Sequence, residues 1–582
     1  MFNALIESIR EDRSFRNIQS NVIAGITVGV IALPLSMALA IAIDVDPQYG
    51  LYTAIVAGIV IALTGGSRVN ISGPTAAFVV VLLPVVHQFG VGGLLVAGMM
   101  GGVILVLMGA ARLGGLIEIV PYPVVIGFTS GIGVVIATLQ IKDFLGLSGV
   151  ATSGSYFAKV QNIVTALPGL HWQEALIGGV TLAVLILWPR LKSRIPSHLV
   201  ALFIGSLLAW FLSAGAHLSV ETIASRFHYM VDGLSGQGIP PVMPQFNWPW
   251  DLPGKDGHAL NVSFGLFREL LPVALTIALL GALESLLCSV VADGMTGRKH
   301  NPNAELIGQG VGNIVAPFFG GIPATAAIAR TAANIRAGGT SPLSAVIHGL
   351  FILISILFLA PLLGYIPMAS MAALLLVVAW NMSEAHHFVR IIRIAPRNDI
   401  LILLTCFLLT VLFDMTVAVA VGMGLAAALF IRRNMQLAEG RLLAEPRVEG
   451  HTPKAGIAIY DINGPLFFGT ARLALKNLTL ADMQIRVVIL DMAEVTMMDV
   501  SAMLSLESIV ADLRRKNVAL IINGLQPRMI LKLRRVGVRY RVGMIQFARD
   551  LDEALTLAEH LCERGSDDKP QDISKNPKEG GA

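Results

Sequence analysis

Apolar and polar stretches alternate regularly over about three quarters of the chain, as expected of a multi-pass membrane protein. The apolar segments, separated mostly by short polar loops, lie at residues 21–43, 50–64, 73–86, 91–110, 121–141, 173–189, 197–214, 268–291, 303–318, 324–336, 341–360, 367–381, 399–413 and 415–431. A membrane-spanning helix needs about 20 predominantly apolar residues, and fewer where the helix is broken. The pattern predicts fourteen spans, and 73–86 and 324–336 are short enough to be half-spans.

Two of these segments are interrupted by glycine and proline in the same way. The first contains Ser72-Gly73-Pro74-Thr75-Ala76-Ala77-Phe78, preceded by Gly65-Gly66, and the second contains Gly320-Gly321-Ile322-Pro323-Ala324-Thr325-Ala326-Ala327. Such interruptions at corresponding places in two halves of a chain indicate a binding site near the middle of the membrane. Two ordinary kinked helices are the alternative, and the recurrence of Thr-Ala-Ala together with the kink favours the site.

Around Pro323 the pattern predicts a short strand followed by a helix that begins partway through the membrane. Such a start is tolerated only where its unpaired N–H groups face a cavity, and its positive end, about half an elementary charge, favours an anion. The candidate substrate-binding residues on the two helix starts are Thr75, Ala76, Ala77 and Phe78 in one half, and Thr325, Ala326, Ala327, Ile328, Ala329 and Arg330 in the other. Most of these side chains are small, so the backbone would bind the anion and the side chains would set its size.

The basic residues of the loops fall mainly on one side of the predicted spans. The larger group is Arg10, Arg13, Arg16, Arg68, Arg112, Arg190, Lys192, Arg194, Arg298, Lys299, Arg336, Arg390, Arg393, Arg397, Arg432 and Arg433, and the smaller group is Lys142, Lys159, Arg226 and Lys255. Cytoplasmic loops carry the excess of Lys and Arg, which places both termini in the cytoplasm. Fourteen spans with a recurring segment predict an all-α membrane fold of two inverted repeats of seven spans.

The composition changes after Arg433. Short apolar runs at 456–460, 487–490 and 518–522 alternate with helix-like stretches at 471–480, 502–516 and 550–559, which is typical of a small α/β domain with buried parallel strands. The predicted organisation is an N-terminal cytoplasmic segment (1–20), a transmembrane domain (21–434), a linker (435–451), the α/β domain (452–563) and a disordered tail (564–582).

Composition excludes several classes of function. The chain is 55% hydrophobic and only 14% charged, with a mean hydropathy of +0.72, which indicates an integral membrane protein. The net charge of +4, without a basic run interleaved with aromatic residues, argues against a nucleic-acid partner. The three cysteines form no metal or redox motif, and no phosphate-binding loop or catalytic triad is visible. We therefore expect neither an enzyme nor a cofactor.

The segment Pro47-Gln48-Tyr49-Gly50-Leu51-Tyr52-Thr53 resembles the signature of SulP anion transporters, and the C-terminal domain resembles the STAS domain that those proteins carry. The resemblance implies a core domain of spans 1–4 and 8–11 and a gate domain of spans 5–7 and 12–14. It also implies a homodimer in the bacterial inner membrane, in contact with its lipid, that works by an elevator-type motion. In the STAS domain Val500 stands where anti-sigma-factor antagonists carry a phosphorylatable serine, so a regulatory cytoplasmic partner is expected without a phosphorylation switch.

The segment from Gly281 to Asp293 resembles the eighth span of bacterial members of the bicarbonate type, where an acidic residue at the position of Glu284 lies beside the substrate and coupling-ion site. A carboxylate in the middle of a span costs about 2.5–3.5 kcal/mol, so Glu284 should face the cavity. Its protonation would remove a charge that repels the anion, which makes Glu284 the candidate for proton coupling. There are two alternatives: Glu284 and Cys288 together bind a sodium ion, or Glu284 forms a purely structural ion pair.

Three other assignments stay open at this point. Arg330 would add positive potential to the site, or would only satisfy carbonyl groups or pair with a carboxylate. Ser285 offers a hydroxyl to the site or bonds the carbonyl four residues back. The site residues and Leu35, where many sulfate-type members carry Gln, resemble bacterial carriers of C4-dicarboxylates such as succinate, fumarate or aspartate. Sodium-coupled bicarbonate transport, proton-coupled sulfate transport and an uncoupled anion channel are the alternatives.

Overall fold

The structure of the chain is a computed structural model. It describes residues 4, 6–8, 14–115, 120–152, 154–191, 193, 195–231, 234–260, 262–413, 415–437, 439–443, 456–464, 466 and 485–564. The chain divides into two compact units, Met1–Ala426 and Ala427–Ala582, and each is described by itself.

Helices form nearly all of the first unit. They are α1 (Phe15–Ile41), α2 (Pro47–Thr64), α3 (Ala76–Ala110), α4 (Tyr122–Phe144), α5 (Tyr156–Ala166), α6 (Trp172–Leu187), α7 (Ser197–Ala216), α8 (Ile223–Arg226), α9 (Phe264–Thr296), α10 (Pro302–Val315), α11 (Ile328–Arg336), α12 (Leu343–Leu363), α13 (Met368–Met382), α14 (Ala385–Ile394), α15 (Arg397–Leu412) and α16 (Met415–Leu437). Four short strands accompany them: β1 (Ser72–Gly73), β2 (His228–Val231), β3 (Leu234–Gln237) and β4 (Thr325–Ala326).

Each of the fourteen predicted segments falls on one of these helices. Segments 73–86 and 91–110 form the single element α3, which is broken at Gly90, where φ is 74° and glycine is favoured. Among the residues that the structure describes, nine helical segments are long and apolar enough to cross a membrane by length and composition. Three of the remaining predicted spans, 303–318, 324–336 and 399–413, coincide with the shorter helices α10, α11 and α15, and the last, 415–431, coincides with α16.

The helices of the first unit pack as two groups. In one group α3 packs against α9 and α10, while α12 packs against α1 and α2. In the other group α4 packs against α13 and α15, and α6 packs against α7 and α13. The contact of α4 with α15 is matched by that of α13 with α6, as expected for two repeats of one design. The groups correspond to the core and gate domains that the family resemblance implies.

Contacts of loop residues with neighbouring helix ends agree with the predicted sidedness. On one face, His87 Nε2 lies 2.8 Å from Asp44 Oδ2, and the Thr152 hydroxyl donates to the same oxygen over 3.1 Å. On the other face, the Ser20 hydroxyl donates to the Gly338 carbonyl over 2.8 Å. The face with Asp44, which carries the smaller group of basic residues, is called the outer face below.

The second unit contains a five-stranded sheet in the order β5 (Glu439–Leu443), β6 (Ile457–Asn463), β7 (Val487–Asp491), β8 (Ala519–Asn523) and β9 (Ile545–Ala548). β5 is antiparallel to β6 and the other neighbours are parallel. The helices are α17 (Val500–Arg515), α18 (Pro527–Arg535) and α19 (Leu551–Arg564). Ile489 and Ile521 are fully buried, because side chains on both faces of a helix-covered parallel sheet lie in the core.

The second unit contains elements that the sequence did not predict. The predicted strands coincide with β6, β7 and β8, whereas β5, β9 and α18 are additional. β5 lies within the segment 435–451 that was predicted to be a linker, and its partner is β6. The predicted helix at 471–480 and residues 565–582 of the predicted tail lie outside the described residues.

Gly50, in the segment that resembles the family signature, lies where α2 crosses α1. A Cβ atom at this position would lie 2.0 Å from the carbonyl oxygen of Ser36, closer than two atoms can approach without a shift. The close approach of the first two helices of the core therefore requires a glycine here.

We expect Gly50→Ala to lower the stability of the protein by about 1–3 kcal/mol, the usual cost of overpacking a close contact. The measurement is the melting temperature of the purified protein in detergent. Gly179→Ala in α6 is the matched control, because nothing lies within 4 Å of its added Cβ. Equal losses in the two variants would contradict the assignment.

Candidate anion-binding site

Two short strands bring the interrupted segments together in the middle of the core. Ser72 pairs with Ala326, and Gly73 pairs with Thr325, in an antiparallel register. The pairing satisfies backbone groups that would otherwise be unpaired inside the membrane. It also places the starts of α3 and α11 next to each other, as the sequence predicts.

The two helix starts leave backbone donors free. Neither capping residue, Thr75 in α3 or Ala327 in α11, caps its helix with a side-chain hydrogen bond. The first amides of the helices donate no hydrogen bond within the described part of the chain: those of Ala76, Ala77, Ile328 and Ala329. Two positive helix ends with free N–H groups form a site that favours an anion.

The second half-helix begins later than the sequence predicts. It starts at Ile328 rather than at residue 324, so Thr325 and Ala326 belong to β4 and not to the first turn of a helix. The physical reason is the partner strand: paired with β1, these residues form backbone hydrogen bonds that the first turn of a helix lacks. In the first half, Thr75 is the capping residue and Ala76 begins the helix.

Helix α9 contacts both halves of the site through two consecutive residues. The Thr75 hydroxyl donates to Glu284 Oε2 over 2.9 Å, and Ser285 Oγ lies 2.7 Å from Thr325 Oγ1. Ser285 Oγ also accepts from the Ala326 N–H over 3.3 Å. The carbonyl four residues before Ser285 accepts from Thr325 Oγ1 instead, so Ser285 bonds the site and not its own helix.

Arg330 lies in the first turn of α11 and is only 2% exposed. Its Nη2 donates to the carbonyl of Pro74, and its Nε and Nη1 have no partner among the described residues. A Cβ at residue 73 would lie 2.7 Å from Nη1, so Gly73 makes room for the guanidinium. Arg330 thus satisfies one carbonyl and also places its charge beside the start of α3.

The predicted binding residues differ in their exposure. Ser285 and Thr325 are fully buried, and Phe78 is 2% exposed. Ala76, Ala77 and Ala326 are also buried. Glu284 and Ala327 are half-buried, and Ile328 and Ala329 are exposed. The structure therefore brings all of the predicted residues together around one pair of helix ends, and Glu284 lies at the accessible edge.

A row of polar side chains on α10 supports the site and was not predicted from the sequence. Glu305, Gln309 and Asn313 are spaced four residues apart, so they share one face of the helix. Gln309 Nε2 donates to Ser72 Oγ over 3.0 Å, which ties the row to β1. Asn313 accepts from the N–H of Ala324 over 2.8 Å and donates to its carbonyl over 2.9 Å, which ties it to the residue before β4.

Glu305 holds the loop before β1. Its Oε2 accepts from the amides of Gly66 and Ser67 over 2.9 Å each, and its Oε1 accepts from Asn70 Nδ2 over 2.9 Å. Gln309 Nε2 is a further donor, 3.1 Å from Oε1. The carboxylate is 1% exposed, and the four donors compensate for its burial.

Position near a span end was a poor guide for two carboxylates. From positions near the ends of spans, the sequence predicts that Glu305 and Asp143 are solvated or capping. Both are buried, and Asp143 pairs with Arg226 over 2.9 Å. Glu118 and Asp414, interpreted in the same way, lie outside the described residues. The four-residue spacing of Glu305, Gln309 and Asn313 was the signal that could have identified the row.

Cys288 would bind sodium together with Glu284 if transport were sodium-coupled. It is fully buried one turn beyond Glu284. Its thiol lies 3.2 Å from Thr331 Oγ1, within the core rather than at the accessible edge. No group of three or more His, Cys, Asp or Glu suited to a metal ion occurs among the residues that the structure describes. A soft sulfur atom is also a poor ligand for a hard cation.

Comparisons with known proteins show that the chain is similar to sulfate and bicarbonate transporters. The family model described as the sulfate permease family matches residues 18–406, and the STAS domain model matches residues 451–554. The chain is 40% identical to the "Putative sulfate transporter YvdB" of Bacillus subtilis, over 93% of this chain and 98% of the relative.

A cyanobacterial relative and two solved structures are also similar to the chain in sequence or fold. The bicarbonate transporter BicA of Picosynechococcus is 31% identical over 94% of this chain and 95% of its own. The structure of a BicA transmembrane domain matches 70% of this chain and 98% of its own, with a TM-score of 0.60 and 30% identity. The overall structure of SLC26A9 matches 97% of this chain and 93% of its own, with a TM-score of 0.81 at 16% identity, which supports the fold.

We expect Glu305→Gln to destabilise the core and to weaken anion binding. The amide NH₂ cannot accept the hydrogen bonds that one carboxylate oxygen receives, which costs about 1–3 kcal/mol for the donors left unpaired. The measurements are the melting temperature and its increase on addition of sulfate. Glu269→Gln, an exposed position in the first turns of α9, is the control. A melting curve and sulfate response equal to those of the control would contradict the supporting role.

Proposed function

The chain belongs to the sulfate permease family and carries a C-terminal STAS domain, and on that premise we propose that it is a secondary transporter of a small oxyanion of the sulfate or bicarbonate type. It is a multi-pass membrane protein of an anion-transporter family and not an enzyme. The observation that carries the proposal is the meeting of two uncapped helix starts beside the buried guanidinium of Arg330. This arrangement offers positive potential and backbone donors to a small anion.

The identity of the anion follows best from the relatives. YvdB is named for sulfate and BicA for bicarbonate. These names favour sulfate or bicarbonate, the alternatives predicted from the sequence, over a C4-dicarboxylate. The small residues around the helix starts also suit a compact oxyanion whose oxygens accept from backbone N–H groups. The assignment to C4-dicarboxylates stays a prediction, and the uptake assay described below tests it with succinate.

Proton coupling at Glu284 is the second part of the proposal. The carboxylate lies at the accessible edge of the site and is hydrogen-bonded to the capping residue of α3, Thr75. A proton on Glu284 would remove a negative charge next to the anion, so binding of the two would be mutually favourable. The burial of Cys288 away from this edge makes the sodium alternative less favourable.

An elevator-type motion is the third part. The candidate binding residues lie on α3, α9, α11 and β4 or cap the starts of α3 and α11, and these elements belong to the core group of helices. A site contained within one rigid group can be carried past the other group without being taken apart. A homodimer, a location in the bacterial inner membrane with both termini in the cytoplasm, and a regulatory partner at the STAS domain stay predictions of the family resemblance.

The test of the substrate is uptake by the purified protein in liposomes. Labelled sulfate, bicarbonate and succinate are compared under an imposed pH gradient, with protein-free liposomes as control. We expect saturable uptake of sulfate or bicarbonate and little of succinate. Saturable uptake of succinate alone would restore the dicarboxylate assignment, and a non-saturating conductance would indicate a channel.

We expect Glu284→Gln to abolish the dependence of uptake on the pH gradient, because the amide side chain neither binds nor releases a proton in the pH range of the assay. Counterflow of the anion without a gradient should persist, since the helix ends remain. The measurement is the initial uptake rate with and without an inward acid gradient. Glu269→Gln, on the same helix and exposed, is the control. Unchanged pH dependence in Glu284→Gln would remove the proton role.

A further inference from the structure

A cavity of about 470 Å³ separates the core from the gate on the outer side of the candidate site. Helices α3 and α9 of the core form one wall, and α4, α5 and α15 of the gate form the other. Most of its lining residues are apolar, and the polar ones are Gln88, Ser155, Tyr156, Lys159, Thr276 and Thr410. Lys159 is the only side chain among the described lining residues with a full charge.

A second cavity of about 320 Å³ adjoins the first. The two share Pro84, Gln88, Gly154 and Lys159, so Lys159 lies at their junction. The second cavity also has Lys255 and His87 in its wall, and His87 contacts Asp44 on the outer face. The two adjoining cavities together extend from the outer face into the cleft between core and gate, and they are called the passage below.

The passage leads along the helices that carry the candidate site. Val80 and Val81, in the wall of the inner cavity, are one turn beyond Ala76 and Ala77 in α3. Thr276, also in the wall, is about two turns before Glu284 in α9. The inner cavity therefore lies next to the helix starts on their outer side.

The lysines of the passage pair with no carboxylate in the part of the chain that the structure describes. Lys159 is half-buried and Lys255 is exposed, and neither pairs with a carboxylate of the described residues. Burial lowers the pKa of Lys159, and no carboxylate offsets this effect. Asp44, the nearby carboxylate, already contacts His87, Thr152 and Lys142, the last over 3.6 Å.

We propose that Lys159, assisted by Lys255, forms a reception site that binds an oxyanion on the outer side and guides it to the helix starts. Unpaired cations in a cleft with low-dielectric walls concentrate anions and increase their rate of association. Lys142 offers no such attraction, because Asp44 is its partner. This inference rests on the proposed function, since it concerns the path of the same anion.

The first test is the sidedness of transport kinetics. In liposomes, Lys159→Gln should raise the apparent KM for sulfate applied at the outer face about threefold to tenfold and leave the maximal rate unchanged. The KM for sulfate applied at the opposite face should stay as in the wild type. The difference should shrink at about 1 M salt, where the screening length falls to about 3 Å. Lys142→Gln is the matched control and should change neither KM.

The second test restores the charge chemically. The native cysteines of the first unit, Cys288 and Cys406, are buried. Among the described residues of that unit, Lys159→Cys therefore adds the one thiol that a membrane-impermeant reagent should reach from the outer face. A cationic thiol reagent should restore the low KM, and an anionic reagent of similar size should raise it further. Equal effects of the two reagents would show a steric rather than an electrostatic role and would overturn the inference.

The third test needs no transport. An amine-reactive reagent is applied from the outer face, and labelling of Lys159 is followed by mass spectrometry with and without sulfate. Sulfate should slow the labelling of Lys159 at least threefold and leave that of Lys142 unchanged. Equal slowing of both lysines, or of neither, would overturn the reception site. Protection of Lys159 in a protein that transports no anion would uphold the site and contradict the proposed function.

Discussion

The pairing of β1 with β4 is the interaction on which the membrane unit depends. Both strands lie where the chain crosses the middle of the membrane without a helix, and an unpaired backbone group there would cost several kcal/mol. Each strand is the partner of the other, so neither repeat can form its interrupted segment alone. The two halves of the chain must therefore meet before either half-helix has a stable start.

The polar row on α10 extends this constraint into the surrounding helices. Glu305 and Gln309 fix the residues before and within β1, while Asn313 fixes Ala324 before β4. The opposite side is held by α2, where Thr53 accepts from the N–H of Ile322 over 2.8 Å. With their surroundings bonded in this way, the strands can leave the amides of the two helix starts free for a ligand. The free donors thus lie beside a network that holds both strands and the residues flanking them.

The sequence predicted the two interrupted segments because their signal was local, and it missed what depends on a distant partner. Glycine, proline and Thr-Ala-Ala mark both interrupted segments, and all fourteen apolar segments coincide with helices. The start of α11 was placed four residues too early, since Thr325 becomes a strand only when Gly73 pairs with it. Glu305 looked solvated because only the folded core supplies its donors. The edge strands β5 and β9 are less apolar than the central ones and gave no comparable signal.

The two repeats make unequal contributions to the site, and this inequality bears on the substrate. Helix α9 supplies Glu284, whereas α1, its counterpart in the first repeat, contains no acidic residue. Two helix starts of about half a charge each and Arg330 give the site about two positive charges, and ionised Glu284 reduces this to about one. A dianion such as sulfate therefore matches the site with Glu284 protonated, and a monoanion such as bicarbonate matches it with Glu284 ionised. Under the proposed function, proton coupling would depend on the charge of the anion as much as on the protein, and one architecture would suit both kinds of relative.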